Sequence, residues 1–238
     1  MVDDASHVDH NEAGLERAEA HFGYCQLEVG KLPSKSPPHM ITVISGIPRS
    51  GTSLMMQMMA AGGMPVVTDG LRSADTNNPR GYYELESVKA LARNPELVRD
   101  AEGKAVKIIS WLLPNLPKEH HYRIIFMCRP LEEIVASQNH MLERLGKEVP
   151  KTPTAEVIAA FEKHLGQIRS WLGQQPNIGV LYVDYPAVLK APEEHASKIC
   201  TFLGKELDIS AMVGQIEHSL HREKSASRSV SGASPTHR

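Results

Sequence analysis

Cysteine, aromatic side chains, net charge and long apolar runs are all scarce in this 238-residue chain, and each scarcity excludes something. The three cysteines, Cys25, Cys128 and Cys200, are odd in number and far apart. That is neither a disulfide framework nor a zinc-ligand spacing, and it points to a reducing, cytoplasmic setting. Lys and Arg number 26 against 28 Asp and Glu, a formal charge of −2. A nucleic acid polymer or an anionic membrane surface normally demands a basic excess, so neither is an expected partner. No apolar run approaches the roughly 18–20 residues that span a bilayer. The start, Met-Val-Asp-Asp, lacks the basic-then-apolar pattern of a signal peptide. Aromatics make up only 5% of the residues, and the twelve histidines equal Trp, Tyr and Phe together. No His-x-x-x-His pair lies beside a suitable acid on a helix. Solvated surface histidines account for the surplus, and no metal is expected.

What is present is a core: 41% of the residues are apolar. Pro33-Ser-Lys-Ser-Pro-Pro38 closes a polar N-terminal leader, residues 1–38. Residues 225–238 hold five serines and a single aliphatic, Val230, and read as a flexible tail. Residues 39–224 remain as one domain. Within it, short β-branched or apolar runs at 41–45, 65–68, 105–109, 122–127 and 178–183 read as strands. Helical patterns lie between and after them: Thr52–Ala61, stopped by Gly62-Gly63, and a run from Leu131 with apolar positions 131, 134, 135, 142 and 145. Thr152-Pro153 caps a third helix with Val157, Phe161, Leu165, Ile168 and Leu172 on one side, and helices near 192–203 and 209–220 follow. Strands that are apolar throughout and alternate with helices imply an α/β fold, with a central parallel sheet of about five strands flanked by helices on both faces. Met55, Met56, Met58 and Met59 invite a soft-metal reading, but adaptable core filling is the plainer account.

The most informative stretch is Gly46-Ile-Pro-Arg-Ser-Gly-Thr-Ser53, which joins the first strand to the first helix. A helix N-terminus leaves backbone N–H groups unpaired and carries partial positive charge, so it favours an anion. Gly46 and Gly51 let the backbone wrap such an anion, Ser50, Thr52 and Ser53 bring hydroxyls, and Arg49 brings a cation. The Gly-x4-Gly spacing is that of a Walker A loop, but Thr52 stands where the Walker lysine would be. An ordinary glycine-containing strand–helix turn is the structural alternative.

Pro48-Arg-Ser-Gly-Thr-Ser53 resembles the 5′-phosphosulfate loop of the sulfotransferase superfamily, Pro-(Lys/Arg)-Ser-Gly-Thr-(Thr/Ser). Cys128-Arg-Pro-Leu-Glu-Glu-Ile-Val-Ala-Ser-Gln-Asn-His140 is similar to that family's 3′-phosphate motif, an Arg at a strand end and a Ser eight residues on, here Arg129 and Ser137. Leu181-Tyr-Val-Asp-Tyr-Pro with Phe202-Leu-Gly204 is similar to a third family region, which places Tyr185 at the tyrosine that approaches adenine. The resemblance covers roughly residues 40–225. It implies a three-layer P-loop-like fold and a bacterial-type sulfotransferase. The implied donor is 3′-phosphoadenosine 5′-phosphosulfate and the product adenosine 3′,5′-bisphosphate, with a small-molecule or glycan acceptor.

Lys107 then falls where cytosolic members carry a Lys that bridges to the transferring sulfuryl group; snorkelling to a strand end is the alternative. The histidine base of those members is missing, since Ile108, Ile109 and Ser110 follow Lys107. Asn78-Pro-Arg-Gly-Tyr-Tyr-Glu84 resembles a bacterial run ending in a glutamate, which makes Glu84 the candidate base. Its alternative is a helix N-terminal glutamate beside Glu86, and His140 is a second-choice base. His221-Arg-Glu-Lys224 offers a generic cation near the nucleotide. Trp111, Tyr82 and Tyr83 suit an apolar acceptor cleft or the core equally. Two competing functions stay open: a kinase or NTPase with an atypical Walker A loop and Asp184 as its magnesium acid, and an inactive nucleotide-binding module.

Overall fold

The computed structural model describes residues 40–71 and 81–216. The leader 1–38, the tail 225–238, His221–Lys224 and residues 78–80 of the glutamate run lie outside the described residues. The five apolar runs form strands: β1 Met40–Gly46, β2 Val66–Val67, β3 Ala105–Lys107, β4 His121–Cys128 and β5 Ile178–Asp184. They build one sheet in the order β2-β3-β1-β4-β5, parallel at every pairing. Strand order reverses at β1, so a crevice opens beyond its carboxyl end, where open α/β sheets take ligands. Register sets the neighbours of that crevice: Ile44 pairs with Lys107, and Gly46 with Met127, two residues before Arg129.

The helices are α1 Thr52–Ala61, α2 Leu131–Arg144, α3 Thr154–Leu172, α4 Tyr185–Lys190, α5 Pro192–Leu203 and α6 Ile209–Val213. Alternation along the strands feeds two cores. Ile44, Ile125, Met127, Leu181 and Val183 pack with α1, α5 and α6 through Met55, Met56, Met58, Met59, Ile199 and Met212. On the other face Ile41, Val43, Val106, Ile124, Phe126 and Val180 meet Val98, Leu113, Ile168 and Leu172. All four helix methionines are fully buried and fill the core. Burying side chains of this size contributes about 1.5–3 kcal/mol each before entropy is charged against it.

Several local expectations change. β2 shrinks to two residues at the sheet edge, and β3 ends at Lys107. α3 starts at Thr154 behind Pro153, with no side-chain cap, so the fixed φ of the proline rather than the Thr152 hydroxyl starts it. α6 ends at Val213, and 217–220 of the expected helix are not described. Three 3₁₀ helices, Glu86–Ala90, Pro95–Ala101 and Ser110–Asn115, fill a stretch that shows no helical periodicity. Pro95 and Pro114 cut that stretch into pieces too short to show one. The unexpected α4 is six residues long and is capped by Asp184, whose carboxylate accepts from Ala187 N at 3.2 Å.

Candidate functional site

The turn between β1 and α1 is tightly wound. Gly46, Arg49 and Gly51 have φ of 145°, 81° and 104°. The first and last suit glycine, whereas Arg49 in that region carries strain of the kind that collects at ligand sites. A Cβ on Gly51 would lie 2.4 Å from the ring of Tyr185, and one on Gly46 would lie 2.7 Å from the Met127 carbonyl. Both glycines are therefore required by close approach as well as by torsion. Gly51 caps α1 without a side-chain bond, and no acid lies in the first turn. The helix end thus keeps its N–H groups and its positive pole for an outside acceptor. Thr52 and Ser53 line the cleft in front of the loop. Ser50 turns beneath it, fully buried, and its hydroxyl has no hydrogen-bond partner among the described residues.

Arg129 leaves the end of β4 into a cluster of buried partners. Its Nε donates to Glu133 Oε2 at 2.9 Å, with side chains 8% and 4% exposed. Its Nη1 donates to the Arg49 carbonyl at 3.2 Å, and the guanidinium lies 5.0 Å from the Tyr185 ring centre. Arg49 Nε in turn donates to Ser137 Oγ at 3.0 Å, and Gln138 Nε2 to the Pro48 carbonyl at 3.2 Å. The structure therefore brings Arg49, Gly51, Arg129, Ser137 and Tyr185 together. Burial pushes the Tyr185 phenol up, Arg129 and Arg49 oppose that shift, and Glu133 adds to it. Glu133 was not marked by any motif; its only sequence signal is the i,i+4 spacing from Arg129.

On the opposite side Lys107, 8% exposed, ends β3 with its ammonium turned into the cleft. It donates to the Tyr82 carbonyl at 2.9 Å, to Ser53 Oγ at 3.2 Å and to Glu84 Oε1 at 3.3 Å. This is a held lysine, not a snorkelling one. Glu84 is 32% exposed and faces Lys107, while Glu86 opens the following 3₁₀ helix. Gln57 Nε2, from α1, donates to the Gly81 carbonyl at 3.3 Å and ties the glutamate segment to the first helix.

The cleft these residues enclose has a volume of about 390 Å³. His140, Met141 and Arg144 of α2 and Leu85, Val88 and Leu112 also line it. Tyr82 lines it; Tyr83 and Trp111 do not. Tyr83 packs on the core, and Trp111 stacks at 4.0 Å on His164. His164 Nε2 lies 2.8 Å from Ser110 Oγ, and burial holds its pKa below the usual histidine value. The fold thus returns a histidine to the segment after Lys107, though outside the cleft. Asp184 caps α4 through Oδ2. Among the described residues no group of three His, Cys, Asp or Glu could hold a metal ion. No helix of the described residues is long and apolar enough to cross a membrane.

Residues 40–236 match the sulfotransferase domain family. The chain belongs to that family. The sulfotransferase domain is similar in shape to that of the olefin synthase from Synechococcus PCC 7002, at 17% identity, with 81% of this chain and 82% of the other covered and a TM-score of 0.48. It is also similar to a sulfotransferase from Mycobacterium tuberculosis, at 13% identity over 84% and 74% of the two chains, TM-score 0.48. A mouse sulfotransferase complexed with PAP shows 19% identity over 76% and 63%, TM-score 0.46. No curated protein matches the sequence. The expected architecture, a parallel five-stranded sheet between helical layers, is the one found for this sulfotransferase domain.

Proposed function

We propose that the chain moves a sulfuryl group from 3′-phosphoadenosine 5′-phosphosulfate to the hydroxyl or amine of a small-molecule or glycan acceptor, leaving adenosine 3′,5′-bisphosphate. One observation carries this reading: over a single cleft the helix-opening loop with Arg49 meets Arg129 with Ser137. Two anion-binding groups so placed suit a nucleotide phosphorylated at two positions. The residues fit such a ligand. Gly51 lines the cleft, the first turn of α1 has no acid, and Arg49, Lys107 and Arg129 supply three cations.

The donor supplies a sulfuryl group already activated by its phosphate. Gly51, Thr52 and Ser53 hold the 5′ end at the positive pole of α1, with Ser50 setting the turn behind them. Arg49 stabilises charge gathering on the departing phosphate. Arg129 and Ser137 take the 3′-phosphate, and Tyr185 forms the wall on the adenine side. Lys107 steadies the transferring oxygens, and Glu84 receives the acceptor's proton. In-line transfer through a loose transition state asks for positioning and charge stabilisation of this kind. The apolar lining from Leu85, Val88, Leu112 and Met141 suits an acceptor with an apolar body.

Thermal melts with adenosine 3′,5′-bisphosphate and with Mg–ATP test the reading. The bisphosphate is expected to raise Tm more, and without magnesium, because a ligand stabilises only the state it recognises. Greater stabilisation by Mg–ATP would overturn it in favour of a kinase or NTPase.

A further inference from the structure

Resting on the nucleotide reading above, we propose that Glu133 is the resident counter-ion of the 3′-phosphate site and holds that site's affinity down. The contact is buried on both sides: Glu133 Oε2 lies 2.9 Å from Arg129 Nε, with the side chains 4% and 8% exposed. A guanidinium this deep needs a compensating charge when no ligand is present, and Glu133 provides it. The pair is shielded from solvent, so salt does not screen it as it would a surface pair. A phosphate arriving at Arg129 meets a cation that is already neutralised, with a carboxylate on the same guanidinium. Like charges so close in a low-dielectric site repel, so the gain on binding is reduced.

The nucleotide product keeps the 3′-phosphate that the donor carried. Weakening that one contact therefore loosens the product without touching Lys107 and Glu84, where transfer takes place. Where product release limits turnover, a moderated anchor raises the rate. The Arg49 carbonyl still holds Nη1 of Arg129 and the Tyr185 ring still faces the guanidinium, so Glu133 is not needed to aim it. It acts through Arg129, by charge.

Glu133→Gln separates charge from shape, since the amide keeps an oxygen acceptor for Nε in nearly the same volume. Calorimetry with adenosine 3′,5′-bisphosphate and with adenosine 5′-monophosphate, on the whole chain and this variant, reads the effect. The bisphosphate should bind about tenfold more tightly to the variant, with the monophosphate changed by less than about twofold. The ligand-free variant should melt lower. A merely structural role would lower Tm without that selective gain in affinity. Unchanged or weaker bisphosphate binding would overturn the proposal, as would an equal gain for both nucleotides. Should Glu133→Gln not fold, Glu133→Asp, which draws the charge back from Arg129, is expected to show a smaller gain of the same sign, and no gain overturns the proposal. An unaltered chain that binds the bisphosphate no better than the monophosphate would overturn the nucleotide reading and this one together. A preference that is present but indifferent to Glu133 overturns only this one.

Discussion

Of the cleft's two walls, the one at Arg129 is a chain of buried partners, from Glu133 through Arg129 to Tyr185 and on to Gly51. The other rests on one buried lysine, with a partly open carboxylate beside it and an exposed ion pair, Lys89 with Glu86, at its rim. The first wall is held by contacts among its own side chains, which suits the nucleotide proposed above. The second is held at a point and open around it, which suits chemistry on an acceptor whose body extends outward. Affinity and turnover should accordingly separate by wall.

The sharpest test breaks the buried wall. Arg129→Ala takes away the counter-charge of a carboxylate that is 4% exposed, and it should cost about 3 kcal/mol of stability. Most of the preference for the bisphosphate over the monophosphate should go with it. Denaturant melts and calorimetry measure both, and a variant as stable and as selective as the parent would erase the distinction. On the open wall, Glu84→Gln should lower turnover at least about a hundredfold while stability moves by no more than about 1 kcal/mol. A matching fall in bisphosphate affinity would make Glu84 part of the nucleotide wall. The smallest effect belongs to the rim. Lys89 and Glu86, 71% and 56% exposed, form a solvent-screened pair, so Lys89→Ala should shift stability by less than about 0.5 kcal/mol. A larger shift in thermal melts would mean that this side is interlocked too.

The walls also differ in how much of them a sequence can disclose. Arg129, Ser137 and the loop glycines sit at fixed spacings within single segments, next to strands whose apolar runs are unmistakable. Local pattern therefore placed them at the carboxyl edge of the sheet. Glu133 was hidden because a buried carboxylate and a solvated one look alike in a helix that begins Leu-Glu-Glu. Trp111 was ambiguous for the opposite reason: its neighbour His164 comes from a helix 53 positions further along, and only packing turns the indole away from the cleft. The 3₁₀ helices and α4 are too short for periodicity to register. Pairings made by tertiary contact, including Lys107 with Glu84, follow from topology and from no spacing rule.

Tyr185 against Gly51 has a consequence in time rather than in space. Gly51 precedes α1, while Tyr185 follows β5, the last of the five strands in sequence. β1 likewise waits for β4 across a long intervening stretch, and such distant pairings are slow to form. A chain not yet extended past β5 can wind the loop but cannot brace it, so the brace arrives only after the sheet's fifth strand has been made. A braced loop then marks a molecule whose sheet is complete.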